Sequence, residues 1–364
     1  MAEKVKLGVI GANPTRGWGP RGHLPAIVPS RHVELTAVCT TRKESAEASA
    51  AKYGAKMAFD DYREMLACPD IEAVAVLLRV PAHYQVTMDA LNAGKHVFTE
   101  WPLGNTTAEA VEMRDLAEVR GLTHMVGLQA RGNPAVVYAR DLVADGYVGE
   151  VMACHVSAAR GGVLQRPSDR TWQRDNSLGA TTLTIPCAHT IDALRFIVGD
   201  FASVSAVVST QARQWLETDT QRYVDVTAPD NVLVSGRLAN GAVASVYVAA
   251  VPLKAYGYGM EIYGREGTLA ATSANTPQIE VVRLRGAKTG DTGFQDLPVP
   301  SEYVKAPAET PEMEPRNVGE MYVRFADAIR NGTRCEPDFN TAVDLHRLVD
   351  AIAASSEQGR AVEL

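Results

Sequence analysis

Two domains are predicted: an N-terminal α/β domain of the Rossmann type, and a C-terminal α+β domain built on an open-faced, mainly antiparallel sheet. Three observations lead there. Up to about Leu128, short apolar strands alternate with helical segments, the grammar of a parallel doubly wound sheet. A glycine-containing turn follows the first strand directly, where dinucleotide-binding domains place theirs. From about Val151 strand follows strand with few helices between, and Asn240-Gly241 separates two of them as a hairpin turn. A chain of 364 residues also exceeds one ordinary core.

In chain order, Leu7–Gly11 and Glu34–Thr40 read as the first two strands, and Glu44–Tyr53 as a helix stopped by Gly54. The run Glu72–Leu78 is apolar enough to be buried on both faces. Tyr84–Ala93 is a helix ending at Gly94, and His96–Glu100 the next strand. Thr106 with Glu109 forms a capping box that opens a helix ending at Gly121. Thr123–Leu128 closes this domain, and residues 129–364 are assigned to the second, whose last helices are free to pack back on the first. Its strands are expected at Val151–Ala159, Ser203–Thr210, Asn231–Leu238, Ala242–Ala250, Met260–Tyr263 and Gln278–Leu284. Helices are expected at Ala188–Val198, Val318–Arg330 and Thr341–Ser355. The proline-rich stretch Pro298–Pro315 is expected to be a loop or strap outside the core.

Composition narrows the functional classes. With 46% hydrophobic and 22% charged residues the chain is globular. No apolar run approaches the length of a membrane span, and the N-terminus lacks the apolar stretch of a signal peptide, so a cytoplasmic protein is expected. Five scattered cysteines show neither disulfide nor zinc spacing, which suits a reducing compartment and no metal site. A net charge of −7 without a basic cluster argues against direct nucleic-acid binding.

After the first strand the sequence reads Gly11-Ala12-Asn13-Pro14-Thr15-Arg16-Gly17-Trp18-Gly19. Gly11 and Gly17 suit the close approach of backbone to a pyrophosphate, while Asn13 stands where a second glycine is usual; a glycine-rich turn without a ligand is the competing reading. The second strand ends Cys39-Thr40-Thr41-Arg42, with no acid to hold a ribose 2′-hydroxyl. Two hydroxyls and a guanidinium can instead donate to a 2′-phosphate, so NADP is expected ahead of NAD, unless Arg42 merely starts a solvated helix.

These residues, with Ala73–His83, Gly94-Lys95-His96-Val97 leading to Glu100-Trp101-Pro102, Gly127–Pro134, Gly149-Glu150-Val151, Trp172–Asp192 and Ile262–Leu269, resemble the glucose–fructose oxidoreductase, inositol dehydrogenase and MocA family. Asn13, Gly17-Trp18, His23–Ile27, His83-Tyr84, Glu100-Trp101 and His189–Asp192 are most similar to the branch holding fungal galactose-pathway repressors and their bacterial relatives. The resemblance implies hydride transfer on sugars or cyclitols. It also implies a homodimer or homotetramer built on the C-terminal sheet. It places cofactor contacts at Gly11, Asn13, Gly17, Trp18, Thr40, Thr41, Arg42, Leu78, Arg79, His83, Glu100, Trp101, Gln129, Trp172 and Gln173. Arg79 replaces the family's usual proline, and either reaches a phosphate or covers the ring.

The resemblance also implies a catalytic Lys in Glu-Lys-Pro, helped by an Asp and a His four residues apart. Here the lysine position is Trp101 and the Asp position Ile185; only His189 survives. His189 is therefore the candidate catalytic base, against the alternative of a hydrogen-bonded core histidine. Asp192, one turn on, orients it or bonds within its helix. Trp101 can stack on a sugar or nicotinamide face, or simply pack. Tyr256 and Tyr258, between glycines, are alternative proton donors or sheet-edge residues. Two functions stay open: an NADP-dependent oxidoreductase on a sugar-like substrate, and a dinucleotide-binding regulator whose partner is another protein.

Overall fold

The computed structural model describes residues 3–364 and divides into two compact units. The first comprises the chain up to Gly132 together with Val304–His346; the second comprises Asn133–Tyr303 and Arg347–Leu364. The closing segment is thus shared. Val304–His346, placed by sequence in the second domain with leave to pack back, belongs to the first unit.

Six parallel strands build the first unit: β1 (Val5–Ile10), β2 (Val33–Cys39), β3 (Met57–Phe59), β4 (Ala73–Val76), β5 (His96–Glu100) and β6 (His124–Gly127), in the order β3-β2-β1-β4-β5-β6. The order reverses between β1 and β4, the switch point where doubly wound sheets bind ligands. Its helices are α1 (Leu24–Ile27), α2 (Lys43–Tyr53), α3 (Tyr62–Ala67), α4 (His83–Asn92) and α5 (Thr107–Val119). As read from sequence, α2, α4 and α5 end near Gly54, Gly94 and Gly121, each with positive φ. The Thr106 hydroxyl caps α5 by accepting from Glu109 N, but the Glu109 carboxylate reaches past the cap to Asn105 N at 2.6 Å. Sequence reading overlooked β3 and α3, which are too short to show a period.

Val5, Leu7 and Val9 face one side of the sheet, packed with Leu24 and Ile27 of α1 and with Val318, Met321, Tyr322 and Phe325. Those four belong to the long helix Glu314–Asn331, which begins earlier than the Val318 expected from sequence. On the other side Gly8 lies against the Met65 sulfur of α3, leaving no room for a β-carbon. The strap ahead of the long helix is not wholly outside the core, a correction with a clear cause. Buried Arg316 donates to the carbonyls of Pro307 (2.9 Å) and Thr310 (2.8 Å), and Glu320 accepts from the amides of Lys305 and Ala306, both at 2.8 Å. Ala306 and Thr310 are buried accordingly.

The second unit starts with α6 (Pro134–Ala144) and β7 (Val151–Gly161), then β8 (Gln165–Arg166) and α7 (Ala188–Val198). The strands β9 (Phe201–Ser209), β10 (Gln214–Glu217), β11 (Tyr223–Asp225), β12 (Asn231–Leu238), β13 (Val243–Val251), β14 (Gly257–Gly264), β15 (Gly267–Ser273), β16 (Arg283–Lys288) and β17 (Gln295–Asp296) follow. In sequence the long helix Glu314–Asn331 is then α8; α9 (Phe339–Gln358) and β18 (Val362–Glu363) close the chain. The main sheet has nine strands in the order β17-β16-β15-β14-β7-β13-β12-β9-β18 and is antiparallel except where β7 runs parallel to β13. The strand expected at Gln278–Leu284 begins only at Arg283, because Thr276–Ile279 is a turn closed by Ile279 N on the Thr276 carbonyl. Strands β8, β10 and β11 form a separate small sheet that sequence reading missed.

One face of the main sheet is a core of Val156, Val234, Val246, Met260, Ile262 and Leu269. On the opposite face, register sets Val207, Leu233 and Tyr247 side by side, and these are 60%, 50% and 38% exposed. The expected Ala242–Ala250 strand, apolar at nearly every position, therefore alternates between core and open face.

Candidate functional site

The cofactor positions of the first unit sit where its parallel strands end. Gly11 N and Ala12 N both donate to the Cys39 carbonyl (3.0 and 3.1 Å), and Leu77 N donates to the Ile10 carbonyl at 2.9 Å. These bonds stitch the ends of β1, β2 and β4 together beneath the glycine loop. Gly11 has φ +90°, and a β-carbon there would drive into the Leu77 carbonyl oxygen. Gly17, at φ +86°, has open space around it. Such a bare backbone cradle fits a pyrophosphate. Asn13 does not act as a substitute glycine: its Oδ1 accepts from Thr15 N (3.0 Å) and Arg16 N (2.9 Å), folding the loop into an Asx turn. Trp18 packs its ring against Gly22, where a β-carbon would sit 3.3 Å from the indole.

At the end of β2 the three predicted residues divide. Thr40 is buried, and its hydroxyl is spent on the Arg42 carbonyl (2.9 Å) and Ser45 Oγ. Thr41 and Arg42 are exposed, with Arg42 in extended conformation at the start of α2. Leu78 and Arg79 follow β4, and Arg79 is exposed. His83 is buried: Nδ1 lies 2.7 Å from the Pro102 carbonyl and Nε2 3.0 Å from the Leu78 carbonyl, and burial pushes its pKa down. Its ring thus ties the loop after β4 to the loop after β5.

Glu100 ends β5 inside a hydrogen-bond chain. Gln129 Nε2 donates to both of its carboxylate oxygens (2.9 and 2.7 Å), and His23 Nε2 lies 2.8 Å from Oε1. His23 Nδ1 lies 2.7 Å from the Tyr322 hydroxyl. A neutral imidazole satisfies both contacts, with Tyr322 donating to Nδ1 and Nε2–H donating to Glu100. Gly127 on β6 leaves the space that the Glu100 carboxylate fills. His23, Tyr322 and Gly127 carried no role in the sequence reading. His23 lies in the matched segment His23–Ile27, so a buried histidine there was the available signal. Trp101 is 5% exposed, its ring 4.6 Å from that of His346. Burial drives the His346 pKa down to about 4, so this partner is neutral near pH 7.

In the second unit, Trp172 and Gln173 stand on a 3₁₀ turn, Ser168–Arg174. Gln173 Oε1 accepts from Arg166 Nη1 at 2.8 Å. Gln173 and Arg166 line a cavity of about 310 Å³, which Ile185 and Trp215 also border; Trp172 is not in its wall. His189 does not line that cavity. It is buried in the first turn of α7, just after the π-turn Leu183–Cys187 that carries Ile185, and Asp192 is fully buried one turn on. Tyr256 is fully exposed, whereas Tyr258 is buried in β14, an interior strand. Neither is a sheet-edge residue. Burial pushes the Tyr258 hydroxyl pKa up, and that hydroxyl makes no hydrogen bond among the described residues, which does not suit it to give a proton to solvent. All five cysteines are free thiols. Among the described residues no cluster of His, Cys, Asp and Glu suits a metal ion, and no helix is long and apolar enough to cross a membrane.

A parallel sheet with a glycine cradle at its switch point and exposed Thr41 and Arg42 beyond its second strand has the form of a dinucleotide-binding domain. Residues 5–128 match the model of the oxidoreductase family with NAD-binding Rossmann fold, Gfo/Idh/MocA, and residues 134–292 match that of the Gal80p C-terminal domain. The chain is 31% identical to dTDP-3,4-didehydro-2,6-dideoxy-α-D-glucose 3-reductase of Streptomyces violaceoruber, over 71% of this chain and 70% of that one. The chain belongs to the Gfo/Idh/MocA oxidoreductase family. It is 26% identical to the galactose/lactose metabolism regulatory protein GAL80 of Saccharomyces cerevisiae, over 74% of this chain and 66% of the other. A solved structure of an NAD-binding oxidoreductase from Klebsiella pneumoniae superposes with a TM-score of 0.86 at 25% identity, covering 99% of each chain. The relatives thus carry both readings, a sugar dehydrogenase and reductases on one side and a regulatory protein of galactose/lactose metabolism on the other.

Proposed function

We propose that this protein is an NADP-preferring oxidoreductase acting on a sugar-like secondary alcohol or the corresponding ketone. The observation that carries the reading is the cavity of about 310 Å³ in the second unit. It lies at the lower end of small-molecule sites, which run from about 300 to 1,000 Å³, and so suits a monosaccharide-sized ligand. A nicotinamide, when bound, would supply the hydride acceptor or donor for the substrate carbon. Oxidation also releases the hydroxyl proton, and the candidate acceptor is His189, which stands four positions after the cavity-lining Ile185 and behind the cavity wall; reduction would reverse both transfers. Gly11 and Gly17 admit the pyrophosphate, and Thr41 and Arg42 stand ready for the 2′-phosphate. Incubation of the purified protein with NADP(H) and a panel of sugars, polyols and keto-sugars, followed at the nicotinamide absorbance, tests the reading. No transfer with any of them favours the alternative, a regulator that binds another protein. That alternative draws support from the Gal80p C-terminal match and from Trp101 and Ile185 at the family's Lys and Asp positions.

Cofactor preference has its own test. NADP(H) is expected to bind more tightly than NAD(H) in a tryptophan-fluorescence titration. Arg42→Ala should weaken NADP(H) by about 1–3 kcal/mol and leave NAD(H) nearly unchanged, as the loss of one charge-assisted pair would. Equal affinity of the unaltered protein for the two nucleotides overturns the preference.

The open face of the nine-stranded sheet supports a homodimer or dimer of dimers. Val207, Leu233 and Tyr247 form an adjacent apolar row that a second copy would cover. Light scattering at micromolar concentration should give at least twice the monomer mass, and Leu233→Lys should shift it towards monomer. A monomer from the unaltered protein would end this proposal.

A further inference from the structure

The cavity of the second unit is basic. Arg160 at the end of β7, Arg166 of β8 and Arg170 of the following 3₁₀ turn all line it, against a single acid, Asp230. That acid is already committed. Its carboxylate accepts from Gln211 N (2.9 Å), Ala212 N (2.6 Å) and Asn231 Nδ2 (2.8 Å), bonds that shape the loop after β9. Among the described residues neither Arg166 nor Arg170 forms an ion pair with a carboxylate. The Arg166 guanidinium lies 4.1 Å over the buried Trp215 ring and donates Nη1 to Gln173, while its buried Nε finds no acceptor. Stacking on an indole fixes the plane of the guanidinium and leaves its edge for a ligand.

From this geometry we infer that the cavity recognises an anionic monosaccharide derivative, a sugar carrying a carboxylate or a phosphate, through Arg166 and Arg170 with Arg160 beside them. Burial and the two neighbouring guanidinium groups lower the Arg166 pKa to about 10, and an anion between them would relieve that repulsion. A neutral sugar hydroxyl could accept from Arg166, but only an anion would also offset the charge of the clustered guanidinium groups. The cavity's volume of about 310 Å³ matches one sugar ring or chain.

This inference rests on the reading of the cavity as a substrate site, but its test is binding, not turnover. Calorimetry on the full chain, with NADP⁺ present, would compare galacturonate, gluconate and glucose 6-phosphate with galactose, glucose and myo-inositol. At least one anionic sugar is expected to bind about 10–100-fold more tightly than its neutral counterpart. That advantage should shrink as salt rises and should largely vanish in Arg170→Gln, an exposed position whose replacement leaves the fold alone. Arg166→Lys, which keeps the charge but loses the planar fork, should weaken the anion as well. Preference for the uronate or aldonate assigns a carboxylate, and preference for the sugar phosphate assigns a phosphate. Binding without hydride transfer would sustain the inference while sinking the oxidoreductase reading. Turnover of neutral sugars with no advantage for any anion would do the reverse. Failure of every anionic sugar to bind at millimolar concentration, or binding unaffected in both variants, overturns the inference.

Discussion

His189→Asn is expected to lower hydride transfer by about 10²–10⁴-fold while NADP(H) affinity stays within a factor of two or so, the signature of a lost general base. Of the three family positions that handle the hydroxyl proton, Trp101 cannot ionise and Ile185 is aliphatic, so only His189 carries a basic side chain. The alternatives weighed from sequence have weakened: Tyr256 stands free in solvent, and the buried Tyr258 hydroxyl holds its proton tightly. The position of His189 also matters. It lies in the first turn of α7, four positions after Ile185, which the preceding π-turn brings to the cavity wall. Stopped-flow measurement of nicotinamide absorbance separates the chemical step from binding. Full activity in His189→Asn would move the proton to another group. An inactive parent chain that gains transfer in the double variant Trp101→Lys, Ile185→Asp would instead identify a regulator that has lost the family's relay.

Much of the fold could be read from sequence because its signals are local. Strand–helix alternation, Gly54, Gly94 and Gly121 as helix stops, and Thr106 as a cap each depend on residues a few positions apart. The whole of α7 and β12 was bounded correctly for the same reason. What escaped depends on distance along the chain. Glu100 was assigned to the cofactor site, but its hydrogen-bond chain draws His23 and Tyr322 from opposite ends of the first unit's sequence. Arg166 and Trp215 meet only because the short parallel pair β8–β10 sets their strands side by side, and two-residue strands carry no period to detect. Thr40 shows a subtler loss. Residue type marked it correctly as a hydroxyl at the end of β2, but the structure spends that hydroxyl on the Arg42 carbonyl and Ser45 Oγ, leaving Thr41 and Arg42 to face solvent. Residue identity announces a capability, and packing decides where it is used.

Gly11→Ala should cost about 3–5 kcal/mol, whereas Gly17→Ala should cost only about 1–2 kcal/mol. Both residues have positive φ, so both variants bear the left-handed penalty of roughly 1–2 kcal/mol. They differ in what the new methyl meets. At Gly17 nothing lies within 4 Å, while at Gly11 the methyl would overlap the Leu77 carbonyl oxygen and crowd Leu78 at 3.1 Å. That carbonyl cannot step aside cheaply, because Leu77 N is bonded to Ile10 O and Gly11 N to Cys39 O across the same three strand ends. At about 2–4 °C per kcal/mol for a domain of this size, Gly11→Ala should lower Tm by roughly 6–20 °C, and Gly17→Ala by less than half of that. Nucleotide affinity should follow a different order. The open space at Gly17 is where backbone would approach a pyrophosphate, so Gly17→Ala should weaken NADP(H) out of proportion to its mild effect on Tm. Differential scanning calorimetry beside a nucleotide titration reads both quantities on the same samples. If Gly17→Ala left NADP(H) affinity untouched, the pyrophosphate would not approach that turn, and the cradle would reduce to Gly11 and the N-terminal end of the helix behind it.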